Sequence, residues 1–462
     1  MEPMRPALAG LDNVTDRYVC LRPSRYVPVS NMQQAPVSSG SVSRRPFGRN
    51  YAFVVVAVMF VALLTAAGLR ATPGVLILPL QKSFGWSIDI ISVSAAVGIF
   101  LYGLAGPFAA AVMNQFGIRR TVIGALMLMS AATAASYFMT QPWHLFMTWG
   151  LLTGLGSGAV ANVLGAVIVN RWFTTNRGLV MGLLTASTAT GTLIFMPGLA
   201  AIVQWGGWQP VVLIIAACCA ALVPLVYFLV PERPASIGLR SYGSTVDDVP
   251  APPTGQNPFA AAIGHLVAAA KTRTFWYLFA TFFICGFTTN GLVGTHLISF
   301  CGDYGIAEVQ AASLLALMGI FDLFGTTLSG WLTDRFDPRK LLFVYYGLRG
   351  LSLIYLPYSN FSLWSLTIFA MFYGLDWIAT VPPTVRLANE AFGDKNAPVV
   401  FGWIVAGHQL GAACAAFFAG FMRSTQGNYL EAFIIAGITG LIAAVLSLMI
   451  GRHRAGPQLA VA

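Results

Sequence analysis

Of 462 residues, 57% are hydrophobic and only 9% are charged, against about 25% charged in an ordinary soluble domain. That is too little charge to cover a water-facing surface, so apolar surface must face lipid, in line with a mean hydropathy of +0.73. A net charge of +10 would fit a nucleic-acid partner, but its placement along the chain assigns it elsewhere. Cys20, Cys218, Cys219, Cys285, Cys301 and Cys414 show no C-x-x-C spacing, metal cluster or disulfide framework and read as small packing residues.

Residues 1–50 are polar, rich in Arg, Ser and Pro, and lack the apolar core of a signal peptide. They read as a disordered cytoplasmic tail, with Met32 as an alternative start. Twelve apolar runs follow, at 51–78, 88–112, 119–139, 143–169, 178–203 and 210–230, then 274–299, 309–333, 340–358, 362–386, 398–421 and 430–450. Each is long enough to cross a hydrocarbon core of about 30 Å. The long polar linker, 231–273, divides them six and six, and residues 451–462 form a second tail. With the N-terminus placed in the cytoplasm, Arg119, Arg120, Arg171, Arg177, Arg233, Arg240, Lys271, Arg273, Arg335, Arg339, Lys340, Arg386, Lys395, Arg452 and Arg454 all fall on that side. So do seven basic residues of the N-terminal tail, while Lys82 and Arg423 fall on the other. The positive charge is therefore a topology signal that puts both ends in the cytoplasm. No nucleic acid enters the account.

Two loops repeat between the second and third runs of each half: Met113-Asn114-Gln-Phe-Gly-Ile-Arg119-Arg120, and Gly330-Trp-Leu-Thr-Asp334-Arg335-Phe-Asp-Pro-Arg339-Lys340. Both resemble the Gly-x-x-x-Asp-Arg-x-Gly-Arg-Lys loop of the major facilitator superfamily, with Asn114 where that family carries Asp. Gly68-Leu-Arg70-Ala-Thr-Pro73-Gly74 followed by Phe84-Gly85-Trp86-Ser87, and Asn176-Arg177-Gly178 running to Gly182, look like segments of bacterial monocarboxylate-type and oxalate/formate-type carriers. Phe321-Asp322 is similar to their eighth helix, except that Thr326 stands where those carriers often have Arg. The resemblance implies an all-α membrane protein of two six-helix halves, in which Asn114, Arg119, Arg120, Asp334, Arg335 and Arg339 latch one conformation. The plainer reading is that these charges only set topology. The resemblance further implies a proton-coupled carrier of small organic anions, monocarboxylates first, in a cell inner (plasma) membrane, working as a monomer. Other readings are a drug or metabolite exporter of the same superfamily, of which Met196-Pro197-Gly198 is a faint echo, and a non-transporting nutrient receptor. No P-loop, Gly-x-Ser-x-Gly or His-Glu-x-x-His motif in context points to an enzyme, and no cofactor or metal is implied.

Polar groups at membrane depth are costly, so they face a cavity or a partner. Arg70, just before Pro73 and Gly74, is the candidate carboxylate fork; the alternative is snorkelling to the external interface. Asp322, Arg349 and Asp376 are expected at one depth, roughly 10 Å from the cytoplasmic side, with the Arg between two carboxylates. They form either a proton-coupling group or a static ion-pair cluster. His408 and Gln409 in the eleventh run, Asn290 beside His296 in the glycine-bearing seventh, and Tyr102 in the second are substrate candidates. For each of these, helix-to-helix packing or hydrogen bonding is the alternative. Asn162 and Tyr373 are weaker pore candidates. Gly150, Gly154, Gly156, Gly158, Gly178, Gly182 and Gly191 permit close helix approach, for motion or for packing alone.

Overall fold

Twelve long helices follow one another in a computed structural model that describes residues 48, 50–86, 88–245, 257–306 and 308–451. They are α1 (Tyr51–Phe84), α2 (Ile88–Phe116), α3 (Ile118–Ala135), α4 (Pro142–Trp172), α5 (Arg177–Gly206), α6 (Trp208–Leu229), α7 (Arg273–Asp303), α8 (Glu308–Arg335), α9 (Pro338–Tyr355), α10 (363–392), α11 (394–426) and α12 (Leu430–Leu448). Ten stretches have the length and hydropathy of a membrane span. One of them, Leu363–Arg423, holds both α10 and α11. The twelfth helix, α9, carries Arg339, Lys340 and Arg349, which lower its hydropathy. The readings of residues 1–47, of the linker over 246–256, and of Arg452 and Arg454 lie outside the described residues.

Local chemistry sets the helix ends. Asp337 caps α9 by accepting from the Arg339 N–H, with Pro338 in the first helical position, where its missing N–H costs nothing. Thr272 and Ser362 cap α7 and α10 in the same way. The expected gap at 387–397 is not a loop. Helix continues through this polar stretch and breaks at Gly393 alone, whose φ of 76° suits glycine far better than any residue with a Cβ.

Helices α1, α4, α7 and α10 each carry an irregularity. Pro73 and Pro79 lie inside α1. Single wide π-turns interrupt α4 at Phe146–Leu152 and α7 at Phe287–Val293. In α10 the helix opens into a turn over 377–380. Such defects release backbone groups and re-aim side chains, and they gather at functional sites.

Glycines fix the packing. A Cβ on Gly98 or Gly154 would meet backbone across the α2–α4 contact, and one on Gly286 or Gly411 would collide with a carbonyl across α7–α11. Gly325 and Gly374 do the same for α8–α10, and Gly350 with Gly437 for α9–α12. Of the glycines singled out in sequence, Gly178 and Gly182 press on α8, Gly191 on the Leu64 carbonyl of α1, and Gly150, Gly156 and Gly158 on α2 and α3.

The linker holds a helix that its polarity conceals, Pro258–Ala270. It rests across α2 and α11: Phe259 lies 5.5 Å from Phe108, and Trp403 donates to the Ala262 carbonyl at 3.0 Å. Burial and the neighbouring Lys395 lower the pKa of His265 on this helix. Earlier in the linker, Tyr242 forms an isolated parallel bridge with Phe173 in the α4–α5 loop.

Candidate functional site

Arg70 and Tyr102 lie near the middles of α1 and α2, where the guanidinium carbon sits 4.3 Å from the centre of the Tyr102 ring. One guanidinium nitrogen, Nη1, is buried without a hydrogen-bond partner. Gln409, from the middle of α11, packs its side chain over Gly103, the neighbour of Tyr102. The structure therefore gathers Arg70, Tyr102 and Gln409 at mid-depth, between helices of the two halves. The His408 ring lies 5.0 Å from that of Phe282, tilted by 48°, and its carbonyl lies against Gly286 of α7. Asn290 is exposed within the π-turn of α7, one turn beyond the Gly286 contact. His296 is tied down: its ring nitrogens lie 2.9 Å from the Ala416 carbonyl and 3.2 Å from the Tyr429 hydroxyl. Tyr373 is likewise committed, donating to the Thr288 carbonyl at 2.7 Å. The side-chain oxygen of Asn162 is buried and unpaired.

The second constellation forms around the break in α10. Arg349 Nε donates to Asp376 Oδ2 at 2.6 Å. Its Nη2 donates to the carbonyls of Asp376 and Trp377, and Nη1 contacts Cys285 Sγ at 3.0 Å. Asp322 takes a different set of partners: Oδ1 accepts from the Thr326 hydroxyl at 2.7 Å and from the Ile378 N–H at 2.9 Å. Arg349 thus makes its carboxylate hydrogen bond to Asp376, while Asp322 is served by neutral donors. Arg349 and Asp322 also satisfy backbone groups that the open turn sets free, carbonyls for one and an N–H for the other. One oxygen of each carboxylate, Asp322 Oδ2 and Asp376 Oδ1, is buried and unpartnered. Asp322 sits near the midpoint of α8, deeper than the expected ~10 Å. Thr326, in the place of the expected Arg, is itself a ligand of the carboxylate.

Polar contacts between the halves gather at the end where the α2–α3 and α8–α9 turns lie, called the basic face below. Asp334 accepts from the Gly178 and Leu179 N–H groups at 2.7 and 2.9 Å, placing a carboxylate on the N-terminus of α5. The copy in the first half has reversed polarity. Asn114 donates to the Lys395 carbonyl at 3.3 Å and accepts from Arg171 at 3.1 Å. Of the other residues expected in the latch, Arg119 bonds to Glu232 and the Tyr227 carbonyl, and Arg339 to Asp337. Arg335 stacks on Trp331, and Arg120 is exposed. These contacts of Arg119, Arg335 and Arg339 stay on their own side of the seam. Pairs that do cross it were not singled out in sequence: Arg177 with Asp394 at 2.7 Å, and Asn170 with Asn389 at 2.9 Å in both directions. Asn170 and Asn389 lie on separate helices without charge, so nothing in the sequence marks them as partners.

The sequence profile of the Major Facilitator Superfamily matches residues 58–386 and 302–460. An uncharacterized MFS-type transporter of Bacillus subtilis, YcxA, is 26% identical over 80% of this chain and 88% of its own. Monocarboxylate transporter 13 of Rattus norvegicus is 26% identical over 83% of this chain and 85% of its own, and human monocarboxylate transporter 11 is 26% identical over 94% and 88%. Among solved structures, a double-Trp mutant of XylE superposes with a TM-score of 0.69 at 15% identity, covering 88% of this chain and 97% of that one. The fucose:proton symporter FucP of E. coli superposes with a TM-score of 0.64 at 16% identity, covering 87% and 100%. At such identities the structures speak for the fold alone.

Proposed function

The chain belongs to the major facilitator superfamily, and from that premise we propose that it carries a small monocarboxylate across the membrane together with a proton, by alternating access between its two halves. The observation that carries this reading is the Arg70 guanidinium, within the apolar span of α1, held over Tyr102 and left with an unpartnered buried nitrogen. A guanidinium there is costly unless it meets an anion, and its planar fork matches a carboxylate. Tyr102 stands beside it on the first half, and Gln409, His408 and Asn290 stand on the second. The one full positive charge among these groups favours a single carboxylate over two. The names of the relatives, monocarboxylate transporters 11 and 13, point the same way.

Asp322 is the proton site in this reading, with Arg349 and Asp376 as the ion pair that shapes it. By the positive-inside rule the basic face is cytoplasmic, so both termini lie in the cytoplasm of an inner (plasma) membrane. Closure of that face is the work of Asp334 and the pairs around it.

The test is uptake of radiolabelled lactate, pyruvate and butyrate into proteoliposomes under an inward proton gradient. Wild-type protein accumulates at least one of them. Arg70→Gln loses ~100-fold in kcat/KM, the value of about 3 kcal/mol for a charge-assisted pair, while eluting as wild type on size exclusion. Accumulation of none of the acids by wild type, or an active Arg70→Gln variant, defeats the reading.

A further inference from the structure

Arg70 is not the only buried donor with nothing to bond. Trp149, in the π-turn of α4, is 3% exposed, and its indole N–H also has no acceptor. Both residues line one crevice between α1, α2 and α4, together with Thr153 and Ser157. A second crevice, lined by Leu76, Leu80, Ile91 and Leu145, shares Pro73, Ala95 and Trp149 with the first, so the two adjoin along these residues. Two unpartnered N–H donors lining one crevice, with an apolar crevice next to it, are what a carboxylate with an apolar tail would complete.

The hydroxyls near the slot have their protons committed. Ser94 donates to the Ile90 carbonyl at 3.3 Å, Thr153 to Trp149 at 2.5 Å and Ser157 to Gly154 at 3.2 Å. A keto oxygen on the tail would therefore meet no free donor among them, and a tail hydroxyl would be buried against Leu76, Leu80 and Ile91. The spaces are about 20 and 10 Å³, room for roughly one water-sized group each, which favours a tail of few carbons.

We propose that the crevice between α1, α2 and α4 is the specificity site: Arg70 and Trp149 share the carboxylate, and Pro73, Leu76, Ile91 and Leu145 take a short apolar tail, so plain short-chain acids are preferred over hydroxy and keto acids of similar length. This rests on the organic-anion reading above and adds to it a second donor and a tail site.

The experiment compares butyrate, lactate, pyruvate and acetate in proteoliposomes. Butyrate has about tenfold lower KM than lactate or pyruvate, the modest discrimination that an apolar slot gives against an added polar group. Trp149→Phe keeps the ring and removes the N–H, and it raises KM for butyrate and acetate alike about tenfold with the maximal rate little changed. Leu76→Phe fills the tail site and lowers the butyrate-to-acetate ratio of kcat/KM about tenfold. A thermal-shift titration with butyrate provides a second readout should Trp149→Phe transport poorly, because a bound ligand stabilises the native state. Equal KM for butyrate and lactate, or wild-type selectivity in Leu76→Phe, overturns the crevice while leaving monocarboxylate transport standing. Failure of the wild type to take up any of the four acids overturns both.

Discussion

Asp322 and Asp376 are buried carboxylates on neighbouring helices, yet their surroundings give them different chemistry. Asp376 is half of an ion pair with Arg349. Asp322 holds two neutral donors on Oδ1 and none on Oδ2. A neutral carboxyl uses one oxygen as acceptor and the other as hydroxyl, so the arrangement at Asp322 suits a group that carries a proton for part of a cycle. Asp322→Asn keeps the Oδ1 acceptor but has no proton to give up. It is expected to retain substrate exchange while gradient-driven accumulation, about tenfold per pH unit for one coupled proton, falls to unity. Comparing counterflow with pH-driven uptake checks this, and accumulation with normal pH dependence would remove Asp322 from the mechanism. The candidates Arg70, Asp322, Arg349 and Asp376 were legible because charge in an apolar run is rare. Which carboxylate pairs with Arg349 was not, since that depends on the rotation of each helix. Trp149 and Cys285 were not legible either, because an indole or thiol in a membrane helix reads the same whether it packs or binds.

At the scale of elements, the two copies of the loop meet the opposite half in different ways. Asp334 places its charge on two N–H groups at the start of α5, whereas Asn114 offers an amide to a carbonyl near the start of α11. Asp334→Asn is expected to weaken the closed basic face by about 1–2 kcal/mol, through loss of the charge at the helix end. Arg177→Gln, which removes the exposed pair with Asp394, should cost less than about 1 kcal/mol. Spin-label distances between the exposed positions Arg120 and Arg335 measure both shifts, and a larger effect from Arg177→Gln would reverse the assignment of the latch. The paired loops were visible in sequence as a repeat, but the boundary between α10 and α11 was not. The stretch around Gly393 is polar because its helices run past the bilayer into water, and polarity alone was read there as a loop. The linker helix was hidden for a related reason: its 13 residues are too few to span a membrane and sit within a polar segment.

For the whole molecule, the twelve-helix count and the division in two followed from hydropathy and basic-residue placement, signals that every span contributes to. The closure of the seam depends on contacts between distant segments and could be found only by folding the chain. Asn170 and Asn389 mark it most simply, with mutual amide bonds across the halves. Cysteines at both positions, joined by a short cross-linker, are expected to stop transport nearly completely and to release it when a cleavable linker is cut. Full turnover in the cross-linked protein would mean that this seam does not open during the cycle.

Where α5 meets α8, main chain lies directly on main chain at three glycines: Gly178 against the Gly330 carbonyl, and Gly182 against Gly330 and the Thr326 carbonyl. Parting such surfaces wets peptide groups more than hydrocarbon. Wetting hydrocarbon raises heat capacity and wetting peptide lowers it, so at this contact the two contributions offset each other. A carrier that opens along such a line has an equilibrium between its two faces governed by one nearly constant enthalpy, so its logarithm runs straight against reciprocal temperature.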